Sequence, residues 1–310
     1  MKGFLFSCVM LTLGLASSAI GAKKSVITIN QFVSHVSLDA SRDGLRQALL
    51  ERKITPEKAD IILSNAQGNI SNSVQISKHH ASLKPQFMVS IATPSAQTNL
   101  KAKGEDSTLA FLAVTDPKSA NLSDQKNVIG VTDYPPIEKL VDIAISIIPN
   151  LQKMGVIYNS GEVNSIKIIG DLEAILKTHN IELKRVSINS SNDIKNAMNQ
   201  LIGAVDVIYL PQDNSVVSAI DNVVSISLKA GVPIIANDPT LVDRGVLVAI
   251  GANYFDSGKQ LGNMIADLIE GKFLAQNIQN SATEELKINQ KSAKSFGLTI
   301  PKDLMNGVKK

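Results

Sequence analysis

Short apolar runs recur along the chain at intervals that leave room for one helix between each pair. Val26-Ile27-Thr28-Ile29, Ile61-Ile62-Leu63, Phe87-Met88-Val89-Ser90-Ile91 and Leu109-Ala110-Phe111-Leu112-Ala113-Val114 are such runs and predict four strands. They are continuous rather than alternating, the mark of strands buried on both faces and so of a parallel sheet covered by helices. Between the first two, Leu38, Leu45, Ala48 and Leu49 recur at helical spacing behind Ser37, which reads as an N-cap. A second helix passes through Val74 and Ile76 towards Leu83.

The rhythm changes near residues 128–136, where Pro135-Pro136 fixes the backbone ahead of an amphipathic helix over 137–148. The alternation then starts afresh, with strands at 154–158, 181–188, 205–210, 232–236 and 246–250 and helices over 165–178, 193–202 and 215–230. A helix from about 255 to 269, the strand-like Leu286-Lys287-Ile288 and a short helix over 290–295 complete the chain. Neither half carries a Gly-x-Gly-x-x-Gly fingerprint after its first strand, so the pattern predicts two α/β lobes facing one another rather than a dinucleotide fold.

Six strands end in polar turns: Asn65-Ala66-Gln67-Gly68, Ala92-Thr93-Pro94-Ser95, Val114-Thr115-Asp116-Pro117, Tyr158-Asn159-Ser160-Gly161, Pro211-Gln212-Asp213-Asn214 and Ala236-Asn237-Asp238-Pro239. In an open α/β sheet such ends share one edge, which is where ligands bind. Singly, each also reads as an ordinary helix cap. Together, on two facing lobes, they line one cleft. The candidate contacts are Gln67, Thr93, Ser95, Thr115 and Asp116 on the first half, and Tyr158, Asn159, Ser160, Asp213, Asn237 and Asp238 on the second. His35, in the loop after the first strand, is either another contact or a solvated loop histidine.

Amides, hydroxyls, a few carboxylates and free helix N–H groups suit a small ligand with one anionic and one cationic group. Ser95 and the amides near it are the candidate carboxylate site, and Asp213 the candidate ammonium partner. Glu162 and Asn164 either reach the ligand or merely start the helix behind them. Tyr134, Tyr158, Tyr209 and Tyr254 all fall near strand ends or the lobe boundary, where rings can pack against an apolar ligand group, although tyrosine also favours half-buried strands.

With 310 residues, 44% of them hydrophobic and 19% charged, the chain can build two ordinary cores. The amino terminus carries Lys2, an apolar run from Phe4 to Leu11 and a small-residue exit at Ala19-Ile20-Gly21-Ala22, which reads as a secretory signal peptide over 1–22. It is too short and interrupted for a membrane anchor, and cleavage after Gly21 or Ala22 fits equally. Cys8 lies too near the start for a lipoprotein signal, and its removal leaves no cysteine, hence no disulfide, thiol nucleophile or thiolate metal site. Loss of Lys2 takes Lys+Arg from 31 to 30 against 28 acidic residues, which gives no basis for binding nucleic acid or a polybasic membrane contact.

Enzyme chemistry has little support. His79, His80 and His179 fall in predicted helices, and no Gly-x-Ser-x-Gly, Walker or His-Glu-x-x-His motif occurs. Asp213 and Asp238 as an acid/base pair of a secreted hydrolase is the one enzymatic alternative. No cofactor or metal is expected.

The polar strand ends, with Ile91-Ala92-Thr93-Pro94-Ser95-Ala96-Gln97, Val156-Ile157-Tyr158-Asn159-Ser160 and Asn253-Tyr254-Phe255-Asp256, resemble the recurring stretches of one family of ABC-importer substrate-binding proteins, in that family's order. The family includes tryptophan and tyrosine binders, and the likeness covers nearly all of the chain from Val26 onward. It implies an α/β fold of the type I periplasmic binding protein kind: two doubly wound parallel-sheet lobes joined by a three-crossover hinge. By that likeness, 23–132 plus about 251–277 form the first lobe and 133–250 plus about 278–310 the second. It further implies a monomer, free in the periplasm, that captures an aromatic or apolar amino acid by hinge closure and hands it to ABC permease subunits. A sugar or nucleoside ligand is the alternative within the same fold, and a receptor-docking sensor is the alternative to transport.

Overall fold

The computed structural model describes residues 24–307; the predicted signal peptide, with Cys8, lies outside the described residues. The first half folds as β1 (Ser25–Gln31), α1 (Val36–Glu51), β2 (Ala59–Asn65), α2 (Ile70–Ser82), β3 (Phe87–Ile91), α3 (Thr93–Ala102), β4 (Thr108–Val114) and β5 (Val128–Thr132). The second runs through α4 (Ile137–Ile147), β6 (Lys153–Asn159), α5 (Val163–Thr178), β7 (Glu182–Ile188), α6 (Ile194–Leu201), β8 (Val207–Leu210), α7 (Asn214–Val217), α8 (Ile220–Ala230), β9 (Ile234–Ala236) and β10 (Val248–Ala252). The chain ends with α9 (Tyr254–Ile269), β11 (Ile278–Asn280), β12 (Glu284–Ile288), α10 (Gln290–Ser295) and α11 (Lys302–Gly307).

Two six-stranded sheets result, ordered β11-β5-β4-β3-β1-β2 and β12-β10-β9-β8-β6-β7. Every pairing is parallel except β10 with β12 at the edge of the second sheet. Central strands such as β3, β5 and β10 are buried along their whole length, as their unbroken apolar runs require. The chain passes between the sheets three times, after β5, after β10 and between β11 and β12.

Helix α9 returns to the first sheet and packs on α1 at backbone contact distance. A Cβ added at Gly44 would stand 2.0 Å from the Phe255 carbonyl oxygen, and one at Gly258 2.1 Å from that of Ser41. Only glycine admits this approach, which lets Leu45 and Leu49 of α1 share a core with Leu261 and Ile265 of α9. The residues that close the first lobe thus come from far along the sequence.

Three details depart from the sequence reading. Residues 278–280, allotted there to the second lobe, form β11 and pair with Gly130, Val131 and Thr132 of β5 in the first sheet; three residues are too few to show a strand period. The helix expected over 215–230 is broken between α7 and α8, where Ser218 Oγ bonds back to the Ser215 carbonyl at 2.9 Å and competes with helix continuation. Ser37 is not the N-cap of α1. His35 occupies that position without a side-chain cap bond, and Ser37 lies inside the first turn with its hydroxyl turned to the other lobe.

Candidate ligand-binding cleft

The carboxyl ends of the two sheets face each other and enclose a cavity of about 20 Å³, room for about one water molecule, so the lobes must part further to admit anything larger. His35, Leu38, Ala113, Thr115 and Asp133 line it from the first lobe and its crossover, and Asn164, Gln212, Asp213, Asn214, Val217 and Asp238 from the second; Tyr254, at the start of α9, completes it. A wider, open part of the cleft continues past Phe32, Gln67, Ile70 and Pro94 on one side and Asn159, Glu162 and Ser215 on the other.

The backbone bends to present these groups. Ala113 adopts φ 51°, and the pairing of β4 with β5 slips between Phe111 and Val114, a bulge that sets Ala113 and Thr115 on the cavity wall. Ala92, just before α3, has φ 87°, and Gln67, at the end of β2, has φ 55°. Three non-glycine residues with positive φ, at the ends of β2, β3 and β4 on one edge of the sheet, are strain concentrated on the cleft side.

Asp133 sits at the end of β5, where the chain first leaves the lobe. Its Oδ2 accepts from Tyr254 Oη at 2.9 Å, while its buried Oδ1 has no partner among the described residues. Burial lifts its pKa to about 6, against the opposing pull of the Tyr254 and Thr115 hydroxyls. Gln212 Nε2 donates to the Asp133 carbonyl at 2.7 Å, and Asn164 Nδ2 donates to the Gln212 carbonyl at 2.8 Å. Both amides are thereby fixed with Oε1 and Oδ1 buried and unpartnered. Three acceptor oxygens therefore stand in one bonded cluster at the hinge side of the cavity, and among the described residues no Lys or Arg lines it.

Asp213 has a different job. Its Oδ2 accepts from the Asn159 amide at 2.6 Å and Ser165 Oγ at 2.7 Å, and its Oδ1 from the Val216 amide at 3.0 Å as the N-cap of α7. Both oxygens are committed to holding the β6, β8 and α7 segments together, so the wall residue with a free carboxylate oxygen is Asp133, not Asp213. Glu162 reinforces the same loop: Oε2 accepts from the Asn214 amide at 3.0 Å and Asn214 Nδ2 at 2.6 Å, and Oε1 from the Ser215 amide at 3.1 Å. Burial, and then the neighbouring Asp213 charge, raise the Glu162 pKa to about 7.

Ser37 and His35 reach across the cleft, Ser37 to Asp238 and to Thr240 Oγ1 at 3.0 Å. Asp238 accepts from Ser37 Oγ with Oδ2, and with Oδ1 from the Thr240 amide at 2.9 Å, which caps the 3₁₀ turn Pro239–Arg244. His35 Nε2 lies 3.5 Å from Asn214 Oδ1.

The remaining residues expected at the cleft divide clearly. Gln67 and Asn159 line its open part. Thr93 is buried at the start of α3 with its hydroxyl unpartnered, whereas Ser95 Oγ donates to Asn30 Oδ1 at 3.3 Å within a polar seam beneath that helix. Asp116 caps its own turn through the Lys118 amide at 3.1 Å and Ser119 Oγ at 2.5 Å, and Ser160 is exposed on the turn after β6. The Tyr158 ring packs against the core under α4 and α5, and buried Asn237 accepts from Tyr209 Oη and donates to the Ile250 carbonyl at 3.1 Å. These four follow strand alternation and turn capping, which point them away from the cavity. Of the four tyrosines, only Tyr254 lines the cavity. Asp133, Asn164, Gln212 and Tyr254 line the cavity beside them; Asp133, Gln212 and Tyr254 lie within two residues of a strand end, a position shared with many ordinary caps, and Asn164 in the first turn of α5.

A family model described as ABC transporter substrate binding protein matches residues 26–309. A tyrosine-binding protein of Clostridioides difficile is 32% identical over 283 residues, spanning 89% of this chain and 82% of that protein. The crystal structure of an ABC domain from Streptococcus pneumoniae in complex with L-Trp superposes with a TM-score of 0.87 at 29% identity, covering 92% of this chain and 98% of that one. A ligand-free, open structure of a substrate-binding protein with adhesive properties from Clostridium difficile reaches only 0.68 at the same identity and coverage. Here the lobes meet across the cleft through Ser37–Asp238 and His35–Asn214. The chain therefore belongs to the family of ABC transporter substrate-binding proteins.

Proposed function

We propose that this chain captures an aromatic amino acid between its lobes and presents it to the permease of an ABC importer. One observation carries the reading: the unpartnered Asp133 Oδ1, clustered with Gln212 Oε1 and Asn164 Oδ1 in a small cavity lined by no cationic residue. A carboxylate and two amide oxygens in fixed positions match the three N–H donors of an ammonium group. The relatives named for tyrosine and solved with L-Trp support the amino-acid class, and Leu38, Ala113 and Val217 supply apolar wall for its side chain.

The ligand carboxylate falls to the α3 N-terminus, where the buried Thr93 hydroxyl has no partner among the described residues and the helix dipole favours an anion. Closure is a hinge motion at the three crossovers, with Ser37–Asp238 as a contact formed only when the lobes meet. The 1–22 leader directs the chain to the periplasm, where it acts as a monomer.

Thermal-shift screening of the mature protein against amino acids, sugars and nucleosides tests the reading. Ligand at a hundred times its Kd adds about 2.7 kcal/mol of stability. An upward shift with tryptophan or tyrosine is expected, and a shift with a sugar or nucleoside in its place would overturn the ligand class.

A further inference from the structure

The cavity holds more acceptors than an amino-acid head group can satisfy. Beyond the three oxygens at the hinge side, His35 Nδ1 is buried without a partner among the described residues, on a residue that lines the same cavity from the start of α1. An ammonium group has three N–H donors and no fourth.

The protein fixes which His35 nitrogen accepts. Glu162 Oε2 takes both the Asn214 amide and Asn214 Nδ2, so Asn214 must turn Oδ1 outward. Oδ1 faces His35 Nε2 across the cleft, which puts the ring proton on Nε2 and leaves Nδ1 a lone-pair acceptor. Burial holds the imidazole neutral by lowering its pKa to about 4, the Asn214 hydrogen bond and Asp39 opposing only in part. The relay exists only with the lobes together, because Glu162 and Asn214 belong to the second lobe and His35 to the first.

Asp133, Gln212 and Asn164 are joined in one chain of hydrogen bonds next to the crossover, and Glu162 Oε2, which accepts from both Asn164 Nδ2 and Asn214 Nδ2, continues that network to Asn214 and to His35 beside Leu38. His35 is the member of this network farthest along it from Asp133; with the head group at Asp133, His35 Nδ1 is left for the side chain.

Resting on the amino-acid reading above, we infer that His35 Nδ1 accepts a hydrogen bond from the ligand's side chain, so the cognate ligand is an aromatic amino acid bearing an N–H or O–H donor, of the indole or phenol kind, and phenylalanine is discriminated against. A buried acceptor left unpaired by phenylalanine costs about 1–3 kcal/mol, or roughly 5- to 150-fold in affinity.

Isothermal titration of the mature protein with tryptophan, tyrosine, phenylalanine, O-methyltyrosine and 1-methyltryptophan tests this. Expected is at least 10-fold tighter binding of tryptophan or tyrosine than of phenylalanine, with the same loss when the donor of the preferred ligand is methylated. His35→Phe should bring phenylalanine within about threefold of the preferred ligand. Equal wild-type affinity for all three amino acids overturns the role of His35 and leaves the amino-acid reading standing, as does discrimination that survives His35→Phe. If His35→Phe fails to fold, the methylated ligands decide alone. Binding of none of the three amino acids, with binding of a sugar or nucleoside, overturns the amino-acid reading and this inference with it.

Discussion

Ser37, in the first turn of α1, donates its hydroxyl to the carboxylate of Asp238 on the opposite lobe, and both residues are buried by the contact. Asp238 would be solvated in an open molecule, so the bond belongs to the closed state and biases closure. Ser37→Ala removes it and leaves Asp238 its Thr240 cap. A lost charge-assisted bond of about 1.5–3 kcal/mol predicts ligand affinity weakened at least 10-fold. Titration calorimetry checks the affinity, and small-angle scattering should show a larger radius of gyration for the ligand-bound variant than for wild type. An unchanged Kd would remove the bond from closure.

Asp133 and Asp213 should separate into binding and stability. Asp133→Asn deletes the free carboxylate oxygen and is expected to cost at least 100-fold in amino-acid affinity while the melting temperature of the ligand-free protein holds or rises, because a buried charge is removed. Asp213→Ala leaves the Asn159 and Val216 amides and Ser165 without their acceptor, and should lower stability by about 2 kcal/mol or more. If Asp213→Ala abolished binding at unchanged melting temperature, the two roles would have to be exchanged.

Affinity should depend on pH through Asp133. Its pKa in the ligand-free protein is raised to about 6, so the carboxylate that attracts an ammonium is ionised at pH 7 and mostly protonated at pH 5. Binding weakens as pH falls through that value, by roughly 10-fold at one unit below it. A flat profile between pH 5 and 7 would mean that Asp133 does not meet the cation.

Glu162 gives the opposite sign in stability. With a folded pKa of about 7 against an ordinary value of 4.5, the folded state keeps a proton that the unfolded chain has released between those values. Its contribution is therefore present at low pH and lost as pH rises towards 7. The melting temperature of wild type relative to Glu162→Gln should fall over that interval, a comparison in which the buried histidines cancel. A difference that grew with pH would contradict the raised pKa.

The α1–α9 contact should be intolerant of a methyl group. At Gly258 an added Cβ would lie 2.1 Å from the Ser41 carbonyl oxygen, a backbone atom that cannot swing aside. Gly258→Ala is expected to destabilise by about 1–3 kcal/mol in denaturant unfolding. The same change at Gly170, with nothing within 4 Å, serves as the control and should be neutral or slightly stabilising because Gly170 is helical.

Hydrophobic pattern alone reached the two α/β halves, the strand runs and the polar cleft edge, because buried parallel strands need continuous apolar residues and ligand-facing ends need polar ones. It could not reach which lobe claims 278–280, since three residues carry no period and their partner β5 is distant in sequence. Nor could it rank the acids. Asp133, Asp213 and Asp238 all follow strands and read alike, and only their neighbours in space distinguish them: three donors satisfy Asp213, Ser37 reaches Asp238 from the far lobe, and Asp133 keeps one oxygen free. Composition and local order determined that this chain has a cleft lined with amides, hydroxyls and carboxylates. Which of those groups remain available to a ligand is set by hydrogen bonds between segments far apart in the chain, and those exist only once the lobes have folded and met.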